Sequence, residues 1–353
     1  MAGQIKTIYF GSDNQSGAHP DVIAAIARCA EGRVPAYGDD LLTRNVEEQI
    51  NDIFETECET FLVATGTAAN ALILSAMCPP WGAIYSHADA HIINDENTAP
   101  ELFGGGSRQV GIQGAFGKPS IECIEAAIAS AIDNGVHSAK PAAISLTNAT
   151  ECGTCLLPDE LARYGELAAK HGLGLHVDGA RFSNALISTG ATPAELTWKS
   201  GVDALSFGAT KNGVLAAEAV VFFNRRFSED FEYRRKRAGH LWSKHQFLAA
   251  QFNAFLNNDL WLKNAAHANA QAQRLAEGLA KVPGVQLPWP VEANEVFPIL
   301  PPGLAEALTV AGFDFYSWTS MPGMVRFVTS FNTDPADVSA LLEQIHRLAP
   351  RFS

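Results

Sequence analysis

A lysine stands alone in residues 205–223, LSFGATKNGVLAAEAVVFF: Lys211, followed by Asn212 and Gly213. An ammonium group between two apolar, strand-like pieces has two readings. In one, its stem packs and its head reaches water at a turn. In the other, it is held where its pKa can fall, the setting that suits an amine to Schiff-base chemistry. Upstream, HVDGAR places Asp178 and Arg181 at the end of an apolar strand. Open α/β sheets bind ligands at that end, and a carboxylate buried there needs a partner or a task. A structural Asp178–Arg181 ion pair is the plain alternative. ATGTAANAL sets Gly66 and Thr67 between a strand and a helix, where backbone amides and a hydroxyl can cradle phosphate. The same residues fit an ordinary helix cap, and no P-loop lysine follows them. In SHADAHIINDE, His87 and His91 are four apart with Asp89 between. Such a pair binds zinc when both rings leave one helix face, but two alanines and a strand-like flank argue against that helix, and no metal is expected. A histidine here can instead lie flat on an aromatic ring, and Glu96, five residues on, can orient a nearby group, such as a bound substrate, by hydrogen bonding.

In chain order these residues give a phosphate cradle, a stacking histidine, a strand-end aspartate and, about one β-α-β step later, a lysine. That is the set a pyridoxal 5'-phosphate site requires. The lysine forms a Schiff base, the aspartate keeps the pyridine nitrogen protonated, and the helix terminus holds the phosphate.

Such a set needs a scaffold that brings strand ends together. From residue 20 to 225, helical patterns (HPDVIAAIARCA, RNVEEQINDIF, GTAANALILSAM, SIECIEAAIASAID, DELARYGELAAKHG) alternate with short apolar strands (ETFLVAT, GAIYSH, PAAISLTNAT, LGLHVDGAR, DALSFGA). The alternation predicts an α/β fold, a mostly parallel sheet covered by helices on both faces. After residue 225 come two long helical segments, a Pro/Gly-rich stretch 283–303, the strand-like GMVRFVTSF and a last helix. The expectation is a large α/β domain over residues 1–250 and a smaller C-terminal α+β domain over residues 251–353.

The chain has 353 residues, 47% hydrophobic, with 25 Lys+Arg against 38 Asp+Glu and a net charge of −13. That balance argues against a nucleic-acid surface. No apolar run is long enough to span a membrane and the N-terminus lacks a signal-peptide core, so a cytoplasmic protein is expected. The basic cluster NRRFSEDFEYRRKRAGH reads first as a solvated helix face. Among six cysteines, only Cys152 and Cys155 form C-x-x-C, with no second pair to complete a zinc site. Two small buried side chains are the reading preferred for them.

Beyond these motifs, YGDD, ATGTAANAL, AHIINDE, GLGLHVDGARFSNAL, SFGATKNG and MVRFVTSF occur in order and at fitting spacings over residues 10 to 330. In them the sequence resembles the low-specificity L-threonine aldolases, fold-type I pyridoxal-phosphate enzymes with a seven-stranded type of sheet. The resemblance implies retro-aldol cleavage of L-threonine, L-allo-threonine and related β-hydroxy-α-amino acids to glycine and an aldehyde. A β-eliminating lyase or an aminotransferase on the same fold is the alternative. By the resemblance, Gly66 and Thr67 bind phosphate, His91 stacks on the ring, Asp178 meets the pyridine nitrogen and Lys211 carries the cofactor. Ser12, Arg181 and Arg326 grip the substrate carboxylate. Tyr37 and Lys244 reach a neighbouring subunit's site in a homotetramer. One departure stands out: where relatives read N-T-H-N, this chain reads LTNATECGT, with Ala149 in place of the histidine and Asn148 placed against the cofactor. The base for the substrate hydroxyl stays open between His91, His87 and a held water.

Overall fold

In a computed structural model, residues 7–319 and 321–352 are described. The central sheet has seven strands: β1 (Glu59–Val63), β2 (Gly82–His87), β3 (Arg108–Ile112), β4 (Lys140–Thr147), β5 (Gly174–Gly179), β6 (Ala204–Phe207) and β7 (Glu218–Phe222). Their order across the sheet is β1-β7-β6-β5-β4-β2-β3. β7 pairs antiparallel with both β1 and β6, and the remaining pairings are parallel. β2, β5 and β6 are buried along their whole length, as expected when helices cover both faces of a parallel sheet.

The reversal at β7 follows from connection length. A parallel neighbour needs a crossover of about a dozen residues or more, usually through a helix. Segment 208–217, with only a short helical turn at Thr210–Asn212, returns the chain antiparallel instead. Lys211 lies in that return. Because β1, β2, β4, β5 and β6 run the same way, Val63, His87, Thr147, Gly179 and Phe207 all end at one edge of the sheet. The residues just beyond them are thereby gathered.

Behind that edge the core is aromatic. Phe207 is fully buried, with its ring against Phe54, Phe182, Phe252, Phe255 and Trp261. Helix Leu41–Phe54 starts at Asp40, whose carboxylate accepts from Thr43 N at 3.0 Å, and helix Gly66–Met77 starts at Thr65, whose hydroxyl accepts from Ala68 N at 3.2 Å.

A second core lies C-terminal. Helices Leu260–Leu279, Leu304–Val310 and Pro335–Leu348 pack with an antiparallel sheet in which Val325–Val328 pairs with Glu295–Val296 and Tyr316–Ser317. The N-terminus joins this unit rather than the large sheet. Ile8–Tyr9 pairs parallel with Phe313–Asp314, and Phe10 is buried among Leu275, Val296 and Phe327. Residues 11–19 then lead back to the central sheet's edge, where His19 N donates to Gly213 O at 2.7 Å.

Candidate active site

Asp178 is the last residue but one of β5, and its side chain is almost fully enclosed. One carboxylate oxygen accepts from Ala180 N at 2.9 Å and the other from Asn70 Nδ2 at 2.8 Å. Asn70, on helix Gly66–Met77, gives its second N–H to Glu96 Oε1 at 2.8 Å. The same oxygen lies 3.0 Å from His91 Nδ1. A continuous chain therefore runs His91–Glu96–Asn70–Asp178. Glu96's hydrogen bond pushes the His91 pKa up against the opposing effect of burial, while burial pushes the Glu96 pKa up. The two groups are therefore coupled through this hydrogen bond. His91, Glu96 and Asp178 have ligand atoms within 4.8 Å of one another. The position between the two carboxylates is nonetheless taken by an amide that donates to both, which suits a fixed hydrogen-bond network and not a cation. Two residues behind Asp178 on the same face of β5, His176 lies between Ser145 Oγ (2.9 Å) and Ser206 Oγ (3.0 Å). Burial lowers its pKa to about 4, so it is a neutral prop at working pH.

Lys211 is half-buried and forms no hydrogen bond or ion pair among the described residues. Its charge acts on Asp13, His91 and Glu218, which places it in their midst. Three features hold its turn. Gly208 passes so close to Ala180 that a Cβ would lie 2.5–2.7 Å from that residue's backbone, which only glycine allows. Glu218 Oε2, at the start of β7, accepts from Ala209 N at 2.7 Å. Asn212 Nδ2 donates to Trp261 O at 2.8 Å, and Asn264 Nδ2 returns a bond to Asn212 O at 2.9 Å.

The two arginines come together through acids that sequence reading did not single out. Arg181 binds Asp13 in a bidentate pair, Nε to Oδ2 at 2.8 Å and Nη2 to Oδ1 at 3.0 Å, and lies 3.4 Å from Glu295. Arg326 lies 3.5 Å from Glu295, donates to Gly11 O at 3.1 Å and faces the Tyr316 and Trp318 rings. The partner of Arg181 is thus Asp13 and not Asp178, because Asp178 ends a strand while Arg181 turns into the next helix. Burial would raise the Asp13 pKa, but Arg181 and Lys211 overcome this and hold it below the usual carboxylate value. The Nε–H of Arg326 is buried and has no partner among the described residues, a donor left for an incoming acceptor. Ser12 stands beside them with its hydroxyl 3.4 Å from Asp13.

Other sequence-derived residues sit elsewhere. His87 closes β2 with Nε2 at Gly114 O (3.3 Å) and Nδ1 accepting from Asp89 N (3.1 Å). His91 begins its own short helix, His91–Asn94, so the two rings share no helix face. Asn148 spends its amide on both backbone groups of Leu156. Tyr37 and Lys244 are exposed on segments joined by a bond from Tyr37 N to Ser243 O (3.1 Å). Cys152 and Cys155 are buried free thiols. In the basic cluster, Arg235 corrects the solvated-face expectation: it is buried, paired with both oxygens of Glu232 and set against the Phe61 ring.

The residues present fit pyridoxal phosphate. Gly66 and Thr67 are the first two residues of their helix, so their amides lack intrahelical acceptors. The space where a Gly66 Cβ would sit is open. Lys211 offers an unpaired amine, and Asp178 an acceptor set at a strand end.

The sheet order, the single antiparallel strand and this edge site define a fold-type I pyridoxal-phosphate fold. The chain belongs to the beta-eliminating lyase family, which it matches over residues 10–300, and within it to the low-specificity L-threonine aldolases. It is 45% identical to a low-specificity L-threonine aldolase of Pseudomonas aeruginosa, over 96% of this chain and 97% of that protein. To another, from a Pseudomonas species, it is 43% identical over 95% of this chain and 96% of that one. Among solved structures, a threonine aldolase from Leishmania major superposes with a TM-score of 0.90 at 28% identity, covering 97% of this chain and 99% of that one.

Proposed function

We propose that this protein cleaves L-threonine, L-allo-threonine and related β-hydroxy-α-amino acids to glycine and an aldehyde with pyridoxal phosphate as cofactor. The observation that carries the reading is the His91–Glu96–Asn70–Asp178 chain beside an unpaired Lys211. The names of the relatives support the choice of reaction. When bound, pyridoxal phosphate supplies an electron-withdrawing ring that accepts the electron pair of a bond broken at the substrate's α carbon.

Lys211 is the amine that would carry the cofactor, and the Gly66 and Thr67 amides would take its phosphate. The His91 ring would lie against its face. Asp178, held in place by Asn70 and Ala180 N, would keep the ring nitrogen protonated. Arg181, Arg326 and Ser12 would orient the substrate carboxylate and so fix which α-carbon bond stands ready to break. Exposed Tyr37, Leu41 and Trp242 lie on the segments joined at Ser243 and suit burial against a second copy, in keeping with a homotetramer in the cytoplasm. Among the described residues no helix is long and apolar enough to cross a membrane.

The test is to load the purified protein with pyridoxal phosphate, dialyse it, and measure bound cofactor together with aldehyde and glycine release from both threonine isomers. Lys211→Ala is expected to lose covalently retained cofactor and turnover. Ammonia and a keto acid without aldehyde would transfer the assignment to β-elimination; near-wild-type turnover by Lys211→Ala would remove the lysine from it.

A further inference from the structure

Retro-aldol cleavage needs a base for the β-hydroxyl proton, and the residues first considered for it are engaged. His91 shares its Nδ1 with Glu96, which favours its protonated form. Both ring nitrogens of His87 face Gly114 O and Asp89 N. Ala149, in the loop after β4, carries no ionisable side chain. Two residues on, Glu151 has one carboxylate oxygen fixed and one free. Oε1 accepts from Thr147 Oγ1 at 2.7 Å and from His91 N at 3.0 Å, while Oε2 is buried without a partner among the described residues.

The loop that presents this group is firmly held. Asn148 clamps Leu156, and the Thr150 and Thr154 hydroxyls both donate to Phe116 O, at 2.9 and 2.8 Å. Gly153 takes a left-handed φ of 71°, and a Cβ there would lie 3.2 Å from the Cβ of Glu295. Its carbonyl also accepts from Glu292 N and Ala293 N. One end of the loop thus touches His91, the expected cofactor face, and the other touches Glu295, which pairs with both arginines. Glu151 lies in the loop between these two contacts.

We propose that Glu151 is the base for the substrate's β-hydroxyl group, an assignment that rests on the aldolase reading above. The hydroxyl proton passes to Oε2, and the O–H pair becomes the new C=O bond. The Cα–Cβ pair stays with the α carbon, the aldehyde leaves, the α carbon takes up one proton to give glycine, and Glu151 loses the one it gained, so the proton count is unchanged. No cation pairs with Glu151 among the described residues, and burial raises its pKa to about 7, partly offset by Thr147 and His91 N and reinforced by Asp178. The titratable groups facing it are His91, Asp178 and, in its own loop, Cys152, whose thiol burial pushes up to about 12. A carboxylate of that kind both takes and releases a proton near neutral pH.

The test uses Glu151→Gln holoenzyme. Two rates are compared, threonine cleavage and exchange of the glycine α proton with deuterated water, which needs no hydroxyl deprotonation. The ratio of cleavage to exchange is expected to fall by about 100-fold or more, as removal of a general base does. The acidic limb of the wild-type pH profile is expected to vanish. A further readout is independent of turnover: in cofactor-free protein, the loss of thermal stability between about pH 4.5 and 7 that a raised carboxyl pKa produces is expected to shrink in the variant. Should Glu151→Gln not fold, Thr147→Val removes one stabilising bond to the ionised form and is expected to move the acidic limb to higher pH. An unchanged ratio, or an unmoved limb in Thr147→Val, overturns the proposal. Wild-type protein that neither binds cofactor nor exchanges glycine overturns the aldolase reading instead.

Discussion

Glu218 offers a direct measurement of how tightly the lysine turn is held. It is enclosed beneath that turn, with Oε2 on Ala209 N at 2.7 Å, and burial raises its pKa from the ordinary 4.5 to about 7. Lys211 opposes the rise only in part. Below pH 4.5 both the folded and unfolded chains hold this proton, and the contribution to stability is complete. As pH climbs, the unfolded chain ionises first, and the contribution is lost until the folded carboxyl ionises near pH 7. A shift of that size corresponds to about 3 kcal/mol at roughly 1.4 kcal/mol per pKa unit. For a chain of this length the unfolding entropy is about 0.7 kcal/mol per kelvin, so the midpoint changes by ~4 °C. The perturbation is Glu218→Gln, which carries no titrating proton. Thermal midpoints of both proteins are taken at pH 4.5, 5.5, 6.5 and 8 at one protein concentration, because an oligomer's midpoint depends on it. Wild type is expected to lose ~4 °C relative to the variant across this range. Glu151 contributes equally to both proteins and cancels. A wild-type midpoint that stays constant or rises with pH relative to the variant would refute the claim that Glu218 holds a proton in the folded state.

Two further substitutions probe what fixes the site. Asp13→Asn leaves Arg181 with Glu295 alone at 3.4 Å, and breaking a buried pair of this kind costs about 3 kcal/mol, read as a midpoint lowered by ~4 °C; a loss under about 1 kcal/mol would show the pair to be dispensable. Gly208→Ala drives a methyl into the Ala180 backbone at 2.5–2.7 Å and is expected to cost about 1–3 kcal/mol and to impair cofactor retention, measured by thermal unfolding and bound pyridoxal phosphate.

The sequence disclosed residues that follow strand ends and little of what they touch. Lys211, Asp178, Gly66 and His91 each stand just after or at the end of an apolar run, and that position is local information. Their partners come from far along the chain. Asp13 meets Arg181 across 168 residues, and Gly11 meets Arg326 across 315. A helical reading of GTAANALILSAM absorbed Asn70, although an amide in so apolar a helix was a usable signal. Glu218 was likewise visible as the lone acid in LAAEAVVFF. β3 went unread because Arg108–Ile112 is largely exposed or half-buried and short of apolar residues. The Ile8–Tyr9 strand could not be assigned locally at all, since its partner lies three hundred residues downstream.

The balance of charge at the sheet edge explains why these partners matter. Asp13, Glu96, Glu151, Asp178, Glu218 and Glu295 are all deeply buried or enclosed there, and the nearby cations are Arg181, Arg326, Lys211 and His91. The arginines are held by Asp13 and Glu295. Asp178, Glu96, Glu151 and Glu218 are then left to share Lys211 and His91, and ionising all four would be costly at such short range. Glu151 and Glu218 relieve this because burial raises their pKa to about 7, and Glu96 through burial, which raises its pKa, and its hydrogen bond with His91. The edge therefore holds exchangeable protons beside an unpaired amine, which proton transfer at an α carbon and at a hydroxyl both require. It also dictates orientation. Bound pyridoxal phosphate would be held by the Gly66 and Thr67 amides at its phosphate and by Asp178 at its protonated ring nitrogen.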